Sequence, residues 1–314
     1  MGVGITIFAA IGTILLVNSH AATPTASFQA EAGTRSGNTA VVSDTGASGG
    51  SAVKFTSVTS TWPDTTNTGV AGCPALTTIN GNYVVGDNET LENKLVKGQL
   101  RVPGMNATVR CVKVQYANTY FPLDADYSSR TNASQALLDR VEVDCQGSQV
   151  ANAAMDLYFI TVRKARVYGC TDGYRFDSRV TIEDSLCSGL RVNGDENNEW
   201  HYDCSQTLGG TNVILRHNYF QGRDTSNILL KSDATPINDV LVENNYFTGD
   251  SDLPPSYLVY SVNGGHGVPT NVRFVNNKFT RNYTYGVCSF DSPYPVWTGN
   301  VWADTGQAIN LSSC

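Results

Sequence analysis

Three segments near the C-terminus share one pattern: NVILRHNYF (212–220), DVLVENNYF (239–247) and NVRFVNNKF (271–279). Each contains V-x-Φ-x-x-N-x-F, where Φ is an apolar residue. Apolar residues recur at every second position before the asparagine, which is the period of a β-strand. A repeat predicts a stack of similar units, and it therefore decides the fold class before any residue is assigned a role.

Weaker copies of the pattern extend in both directions from these segments. The positions equivalent to the asparagine are residues 112, 141, 165, 185, 218, 245, 277 and 300, which makes eight copies. The intervals are too long for hairpins but suit one turn of a solenoid. Segments that precede the copies, such as SNILLKS (226–232) and SYLVYSV (256–262), also alternate like strands and so exclude a helical solenoid.

The sequence therefore predicts an all-β fold, a right-handed single-stranded parallel β-helix or solenoid. A β-propeller is only the second choice, because each of its blades needs about 40–50 residues, which is longer than any interval between the copies. Within the predicted coils, Asn218, Asn245, Asn277 and Asn300 are expected to form a hydrogen-bonded ladder. The aromatic residues that follow them, Phe220, Phe247, Phe279 and Trp302, are expected to stack in the core. Neither row is assigned to an active site.

Composition and charge limit the function classes. More than a third of the 314 residues are Gly, Ser, Thr or Asn, and only 16% are charged. Such residues favour turns and strands over helix interiors. The formal net charge of -7 argues against a nucleic-acid binder, which needs a basic face.

The N-terminus and the cysteines predict export. Residues 5–17 form an apolar run followed by small residues, so we interpret residues 1–21 as a signal peptide, with an uncleaved anchor as the alternative. After cleavage we expect a secreted, extracellular monomer without membrane contact. Eight cysteines in an exported chain predict disulfides, and spacing suggests Cys145–Cys170, Cys187–Cys204 and Cys288–Cys314.

Four segments resemble a family of secreted bacterial parallel β-helix proteins in the pectate-lyase-like superfamily. They are WPDTTNTGV (62–70), HYDCSQTLGGTNVILRHNYF (201–220), NILLKSDATPINDVLVENNYF (227–247) and YGVCSFDSPYPVWTGNVWADTG (285–306). Residues 27–55 resemble the opening strands of a carbohydrate-binding β-sandwich module, but they are too short for a whole one. We therefore divide the chain into a strand pair and linker at 22–61 and a β-helix domain at 62–314.

Candidate site residues recur just before the asparagine-containing strands. They are predicted to lie on neighbouring coils about 5 Å apart, and the full set is His201, Asp203, Gln206, Lys231, Asp233, Tyr260 and Arg175. This mixture suits β-elimination on a uronic acid polymer, because a cation must neutralise the carboxylate before a base removes the neighbouring proton. Lys231 or Arg175 supplies that cation in this hypothesis, or Lys231 is the base, while Tyr260 or His201 donates a proton to the leaving oxygen.

Several alternatives remain open at this point. Asp203 and Asp233 are predicted to orient Lys231 or to hold Ca²⁺, whereas Lys231 paired with Asp233 on a solvated surface is the simpler interpretation. Gln206, Asp233 and Arg175 are assigned to substrate binding. GGHG (264–267) resembles a polygalacturonase motif, but the acid pair of that family is absent, and RKAR (163–166) is interpreted as a solvated turn.

The sequence leads to one main functional hypothesis and one of another class. The main hypothesis is a secreted lyase that cleaves an acidic (uronate) polysaccharide by β-elimination, with a glycoside hydrolase as the weaker enzymatic version. The other is a non-catalytic carbohydrate-binding or cell-surface solenoid. In all three, the partner is a polysaccharide.

Overall fold

A computed structural model describes residues 39–47, 49–55, 61–117, 121–125, 135–147, 153–191 and 201–314. The predicted signal peptide (1–21) and the polar run 193–200 lie outside these residues. The chain divides into two compact units, Met1–Thr61 and Trp62–Cys314. In the first unit, strands β1 (Thr39–Ser43) and β2 (Ser51–Phe55) pair antiparallel.

The second unit is built from short strands with almost no helix. In chain order they are β3 (Thr77–Asn80), β4 (Tyr83–Val84), β5 (Thr90–Lys97), β6 (Leu100–Arg101), β7 (Thr108–Gln115), β8 (Leu123–Ala125), β9 (Ala136–Asp144), β10 (Ala153–Leu157), β11 (Ile160–Arg163), β12 (Arg166–Tyr168), β13 (Asp172–Phe176), β14 (Val180–Glu183), β15 (Leu186–Cys187), β16 (Asp203–Thr207), β17 (Gly210–Arg216), β18 (Tyr219–Gly222), β19 (Ser226–Lys231), β20 (Ile237–Glu243), β21 (Tyr246–Gly249), β22 (Tyr257–Val262), β23 (Thr270–Val275), β24 (Lys278–Phe279), β25 (Gly286–Phe290), β26 (Val296–Thr298) and β27 (Val301–Trp302). A 3-10 turn, Leu311–Ser313, follows. Among the residues placed by the structure, no helix has the length and apolar character needed to cross a membrane.

The strands of the second unit form long parallel sheets. A nine-stranded sheet has the order β25-β22-β19-β16-β13-β10-β8-β6-β4. A sixteen-stranded sheet has two arms that meet at the long strand β9: a first arm of β11, β14, β17, β20, β23 and β26, and a second arm of β12, β15, β18, β21, β24 and β27. Its remaining three strands are β3, β5 and β7, which pair in that order and join the sheet where β7 pairs with β9. From β13 onward, successive strands enter the nine-stranded sheet, the first arm and the second arm in turn. This order is consistent with a β-solenoid, and the predicted all-β class is confirmed.

The repeat found in the sequence sets the register of the coils. Val213 pairs with Val240, which pairs with Val272, and Phe220 pairs with Phe247, which pairs with Phe279. The predicted asparagine ladder is confirmed: the Asn245 Oδ1 accepts hydrogen bonds from the backbone N–H and the amide of Asn218, at 2.9 and 3.0 Å. Asn277 and Asn300 continue the ladder in the same way.

The predicted aromatic stack is confirmed over three rings and corrected at the fourth. The Phe220 and Phe247 rings lie 5.7 Å apart, and those of Phe247 and Phe279 lie 4.9 Å apart. The ring that stacks next on Phe279 is Trp297, at 5.2 Å. Trp302 pairs with Phe279 in backbone register, but it is only partly buried and its ring lies against Tyr283. Among the strands that the structure describes, β27 is the last of its arm, so the Trp302 ring is not covered by a further coil.

All eight cysteines form disulfides. The three predicted pairs are present, and the fourth is Cys73–Cys111. Such pairing indicates an oxidising, extracellular environment.

Residues 62–73 run across the coils and form no strand within them. The Trp62 ring stacks on His217 at 5.1 Å and contacts Tyr246 at 5.3 Å. Farther along, the Gly69 N–H donates to the Lys164 carbonyl at 2.7 Å. The segment then reaches Cys111 through its disulfide with Cys73. One stretch of chain therefore ties late coils to early ones.

Candidate active site

The outer face of the nine-stranded sheet carries a row of residues from four neighbouring coils. Backbone register aligns Arg175 of β13 with Gln206 of β16, then with Leu229 of β19 and Tyr260 of β22. We call these four residues the outer row. Their strand neighbours on both sides point inward and are buried, as the two-residue period requires. Three sequence-predicted residues, Arg175, Gln206 and Tyr260, thus share one face and one register position.

Asp203 lies at the start of β16 and is fully buried. Its Oδ1 accepts a hydrogen bond from the Ser226 hydroxyl, and its Oδ2 has no hydrogen-bond partner among the residues placed by the structure. Burial raises the pKa of Asp203 to about 7, an effect that the Ser226 hydrogen bond opposes and the Asp224 charge increases. The side chain is therefore a buried acid that takes up a proton near neutral pH.

Asp172 lies beside Asp203 on the preceding coil, and the two residues form what we call the carboxyl pair. The Asp172 Oδ1 accepts the Asp203 backbone N–H at 2.8 Å, and its Oδ2 accepts the Gln206 Nε2–H at 2.7 Å. Burial raises the pKa of Asp172 well above its usual value, and the Asp203 charge raises it further. The charge of Arg175 opposes this rise. Unlike Asp203, Asp172 is only partly buried.

The sequence analysis missed Asp172, although a signal was available. Asp172 precedes Arg175 by three residues, and Asp203 precedes Gln206 by three residues. The same spacing on two successive coils places both acids at one level of the stack. Cys204, the neighbour of Asp203, is bonded to Cys187, and both cysteines are buried. A side chain at Gly173 would clash with the Cys204 carbonyl at 2.3 Å, so Cys204 packs tightly against Gly173, the residue next to Asp172.

Arg175 is the exposed cation of the outer row. Its Nε lies 3.8 Å from the Asp156 Oδ1, and its guanidinium lies 5.4 Å from the centre of the Phe121 ring. Asp156 aligns with Arg175 in register, and Asp124 follows one coil earlier. The long contact to Asp156 leaves Arg175 able to bind a further anion.

Tyr260 belongs to a cluster of tyrosines at the other end of the outer row. Burial and the charge of Asp203 raise the pKa of Tyr260 to about 12, so the phenol is neutral at physiological pH. The Tyr257 ring lies 5.3 Å from Tyr260 and 5.9 Å from Tyr285. Tyr285 is 71% exposed, and such a surface ring offers a stacking face. Tyr260 lies three strands from Arg175, which corresponds to about 14 Å at the backbone.

Lys231 and Asp233 lie away from the carboxyl pair, whereas His201 lies two residues before Asp203. Lys231 aligns with Val262, two residues beyond Tyr260 on the same face, and its Nζ pairs with Asp233 at 3.1 Å. Both side chains of this pair are about two-fifths exposed. His201 is exposed and precedes β16 by two residues.

The two carboxylates considered for Ca²⁺ lie apart. Asp203 is level with Ser226 at the beginning of β19, whereas Asp233 follows the end of that strand. They therefore do not meet at one ion. In the parts of the chain that the structure describes, there is no cluster of three or more His, Cys, Asp or Glu suited to a metal ion.

No family model, curated protein or solved structure matches this chain significantly.

Proposed function

We propose that this protein is a right-handed parallel β-helix of the pectate-lyase-like kind. In this proposal it is secreted, binds an acidic polysaccharide along the outer face of the nine-stranded sheet, and cleaves it by β-elimination at Asp172 and Arg175. The observation that carries the proposal is the exposed guanidinium of Arg175 in register with Gln206, whose amide holds the Asp172 carboxyl of raised pKa. Elimination next to a uronate carboxylate needs both a cation and a base.

Arg175 binds the substrate carboxylate. A guanidinium presents two parallel N–H donors, which match the two oxygens of a carboxylate. Neutralising that carboxylate makes the proton on the adjacent carbon more acidic, since the charge that develops there is spread onto the bound carboxylate.

Asp172 removes that proton. Its raised pKa makes its ionised form a stronger base than an ordinary aspartate, and Gln206 holds the carboxylate in place at 2.7 Å. The electron pair of the broken C–H bond forms the new C=C bond as the C–O bond to the leaving sugar breaks. The leaving oxygen then takes the proton back from Asp172, so no other reactant is needed.

Asp203 and Tyr260 have supporting roles in this proposal. Asp203 is fully buried and does not touch substrate; its charge and its backbone N–H set the proton affinity and position of Asp172. Tyr260, with Tyr257 and Tyr285, stacks on sugar rings a few units along the chain, because these aromatic faces lie about 14 Å from Arg175. Proton donation by Tyr260 or His201 is not part of the proposal.

The experiment incubates the protein and its variants with a panel of polyuronates. Product is followed by the ultraviolet absorbance of unsaturated uronate and by new reducing ends. We expect Asp172→Asn to lower kcat at least about 100-fold, because a general base is worth 10²–10⁴ in rate. Lys231→Ala is the matched control on the same sheet, and we expect it to change kcat less than about threefold, since Lys231 pairs with Asp233 at the surface.

The other results each point to a different function. If the Asp172→Asn variant still formed unsaturated product and the Lys231→Ala variant did not, Lys231 would be the base, and our assignment would be refuted. Reducing ends without the absorbance would indicate hydrolysis, for which Asp172 and Asp156 are two acids on adjacent coils. Glycan binding with no product would leave a non-catalytic solenoid, a function that the exposed tyrosine cluster also favours.

A further inference from the structure

A second site lies on the sixteen-stranded sheet, away from the outer row. There the second arm and its following turns border a surface cavity of about 590 Å³. The residues that matter for its chemistry are Asp144, Gly147, Arg166, Tyr168, Arg191 and Arg223. They come from four separate stretches of the chain, and three of them are arginines. The run 163–166, which the sequence analysis interpreted as a solvated turn, contributes Arg166.

The guanidiniums of this cavity have unused hydrogen-bonding capacity. The Nε atoms of Arg166 and Arg223 are buried, and neither has an acceptor in the described part of the chain. Within the described residues, Arg223 pairs through its Nη1 with Asp250 at 3.0 Å, and Arg166 approaches Glu142 no closer than 3.9 Å. Buried N–H donors without acceptors are energetically costly. An anionic oxygen in the cavity would satisfy them.

The side chains of the cavity are held in place. The Arg166 guanidinium lies 4.3 Å from the centre of the Tyr168 ring, which fixes its plane. Arg191 lies across Gly147, where an added Cβ would come within 2.2 Å of the Arg191 Nη1. Gly147 also has a φ of +66°, a conformation that favours glycine. The chain therefore leaves room at residue 147 for the Arg191 side chain.

The acids nearest to the cavity are paired with cations of the chain. The Lys113 Nζ lies 2.9 Å from the Glu142 Oε1 and 3.5 Å from the Asp144 Oδ2, and Asp250 pairs with Arg223. The Tyr168 hydroxyl also donates to Glu142 at 2.9 Å. These three carboxylates face four cations, Lys113 and the three arginines, so this group of side chains keeps a net positive charge that attracts an outside anion.

We propose that this cavity is a second anion-binding site, which takes a carboxylate or sulfate group of an acidic glycan. Arg191 supplies the exposed cation, and Arg166 and Arg223 supply the inner N–H donors. The choice of a glycan as ligand rests on the proposed function, but the site needs no catalysis. Its role is to hold a second stretch of the polymer on another face of the solenoid.

The test is titration calorimetry combined with NMR of the arginine Nε–Hε groups. The probes are a uronic acid tetrasaccharide and a sulfated tetrasaccharide, with a neutral tetrasaccharide as the control ligand. We expect the acidic probes to shift the Arg166 and Arg223 signals, and Arg191→Ala to weaken binding at this site about tenfold. Arg216→Ala removes an equal charge from an exposed pair with Glu243, and we expect less than about a twofold effect.

A third variant separates position from charge. Gly147→Ala keeps all three arginines but displaces Arg191, so we expect it to weaken binding as well. Unchanged Nε–Hε signals, or equal affinities for Arg191→Ala and Arg216→Ala, would overturn the proposal. Binding of the sulfated probe alone would assign the site to sulfate, and binding of the uronate alone would assign it to carboxylate. The Asp172→Asn variant keeps this site, so loss of product there and loss of binding here report on different proposals.

Discussion

Asp203 shows how one residue couples the site to stability. A raised pKa in the folded state means that the fold prefers the protonated form. The stabilisation that protonated Asp203 gives the folded protein is complete below the pKa of this residue in the unfolded chain, near 4. It is lost as the pH rises through about 7. The partner in the carboxyl pair, Asp172, has a raised pKa and acts in the same direction. When the pH exceeds the pKa values of the carboxyl pair, the ionised carboxylates therefore lower the stability of the folded protein.

This behaviour predicts a pH-dependent effect of Asp203→Asn. The variant cannot ionise at residue 203. We therefore expect the melting temperature of the variant, relative to that of the wild type, to rise by several degrees as the pH increases from about 5 to about 8. Differential scanning calorimetry of both proteins across this range measures the gain. Asp233→Asn, at an exposed position, is the control and should show no such trend. A constant difference between Asp203→Asn and wild type would contradict the raised pKa.

At the scale of elements, the asparagine ladder joins the turns of successive coils. The Asn245 side chain accepts from Asn218 and donates to the Leu215 carbonyl at 2.9 Å and to Asn277 at 3.1 Å. Every member is fully buried or nearly so. Removing the Asn245 amide leaves two buried backbone groups of the preceding coil, the Asn218 N–H and the Leu215 carbonyl, without these partners.

We expect Asn245→Ala to lower the free energy of unfolding by about 2–4 kcal/mol. Asn263→Ala is the matched control, because Asn263 is an exposed asparagine of the next coil, and its effect should stay within about 0.5 kcal/mol. Urea denaturation of the two variants measures both values. Equal losses would show that the ladder adds nothing beyond an exposed amide.

At the scale of the whole molecule, disulfides close the chain at four places. They bridge sequence separations of 38, 25, 17 and 26 residues. Loops of this size are worth about 2–4 kcal/mol each, because the cross-links restrict the unfolded chain. Together with the crossing segment 62–73, they hold coils that would otherwise contact only their neighbours.

Reduction should therefore lower the melting temperature by at least about 5 °C. Thiol titration provides the check: we expect no reactive thiol in the native protein and eight after denaturation with reductant. Mass spectrometry of proteolytic fragments then tests each pair. A thiol that reacts in the native protein would contradict the pairing.

The sequence by itself determined the stacking of this protein. The positions equivalent to the repeat asparagine lie one coil apart in the sequence, and they set the strand register. The same pattern identified the asparagine ladder and the inner phenylalanines. Three disulfides followed from cysteine spacing, because cysteines one coil apart are neighbours in a stack. The sequence also predicted that Arg175, Gln206 and Tyr260 lie on neighbouring coils, but the structure decided that they share one face.

Only the tertiary structure decided which of these residues form a site. Alternation along a strand does not predict the contacts at the point where the strand begins, and there the Asp172 carboxyl accepts the Asp203 backbone N–H of the next coil. Spacing along the chain also did not place Tyr260 three strands from Arg175, or gather Arg166, Arg191 and Arg223 around one cavity. The physical reason is that a repeat fixes register within sheets, whereas burial and the pKa values that follow from it depend on how strand ends and turns pack in three dimensions.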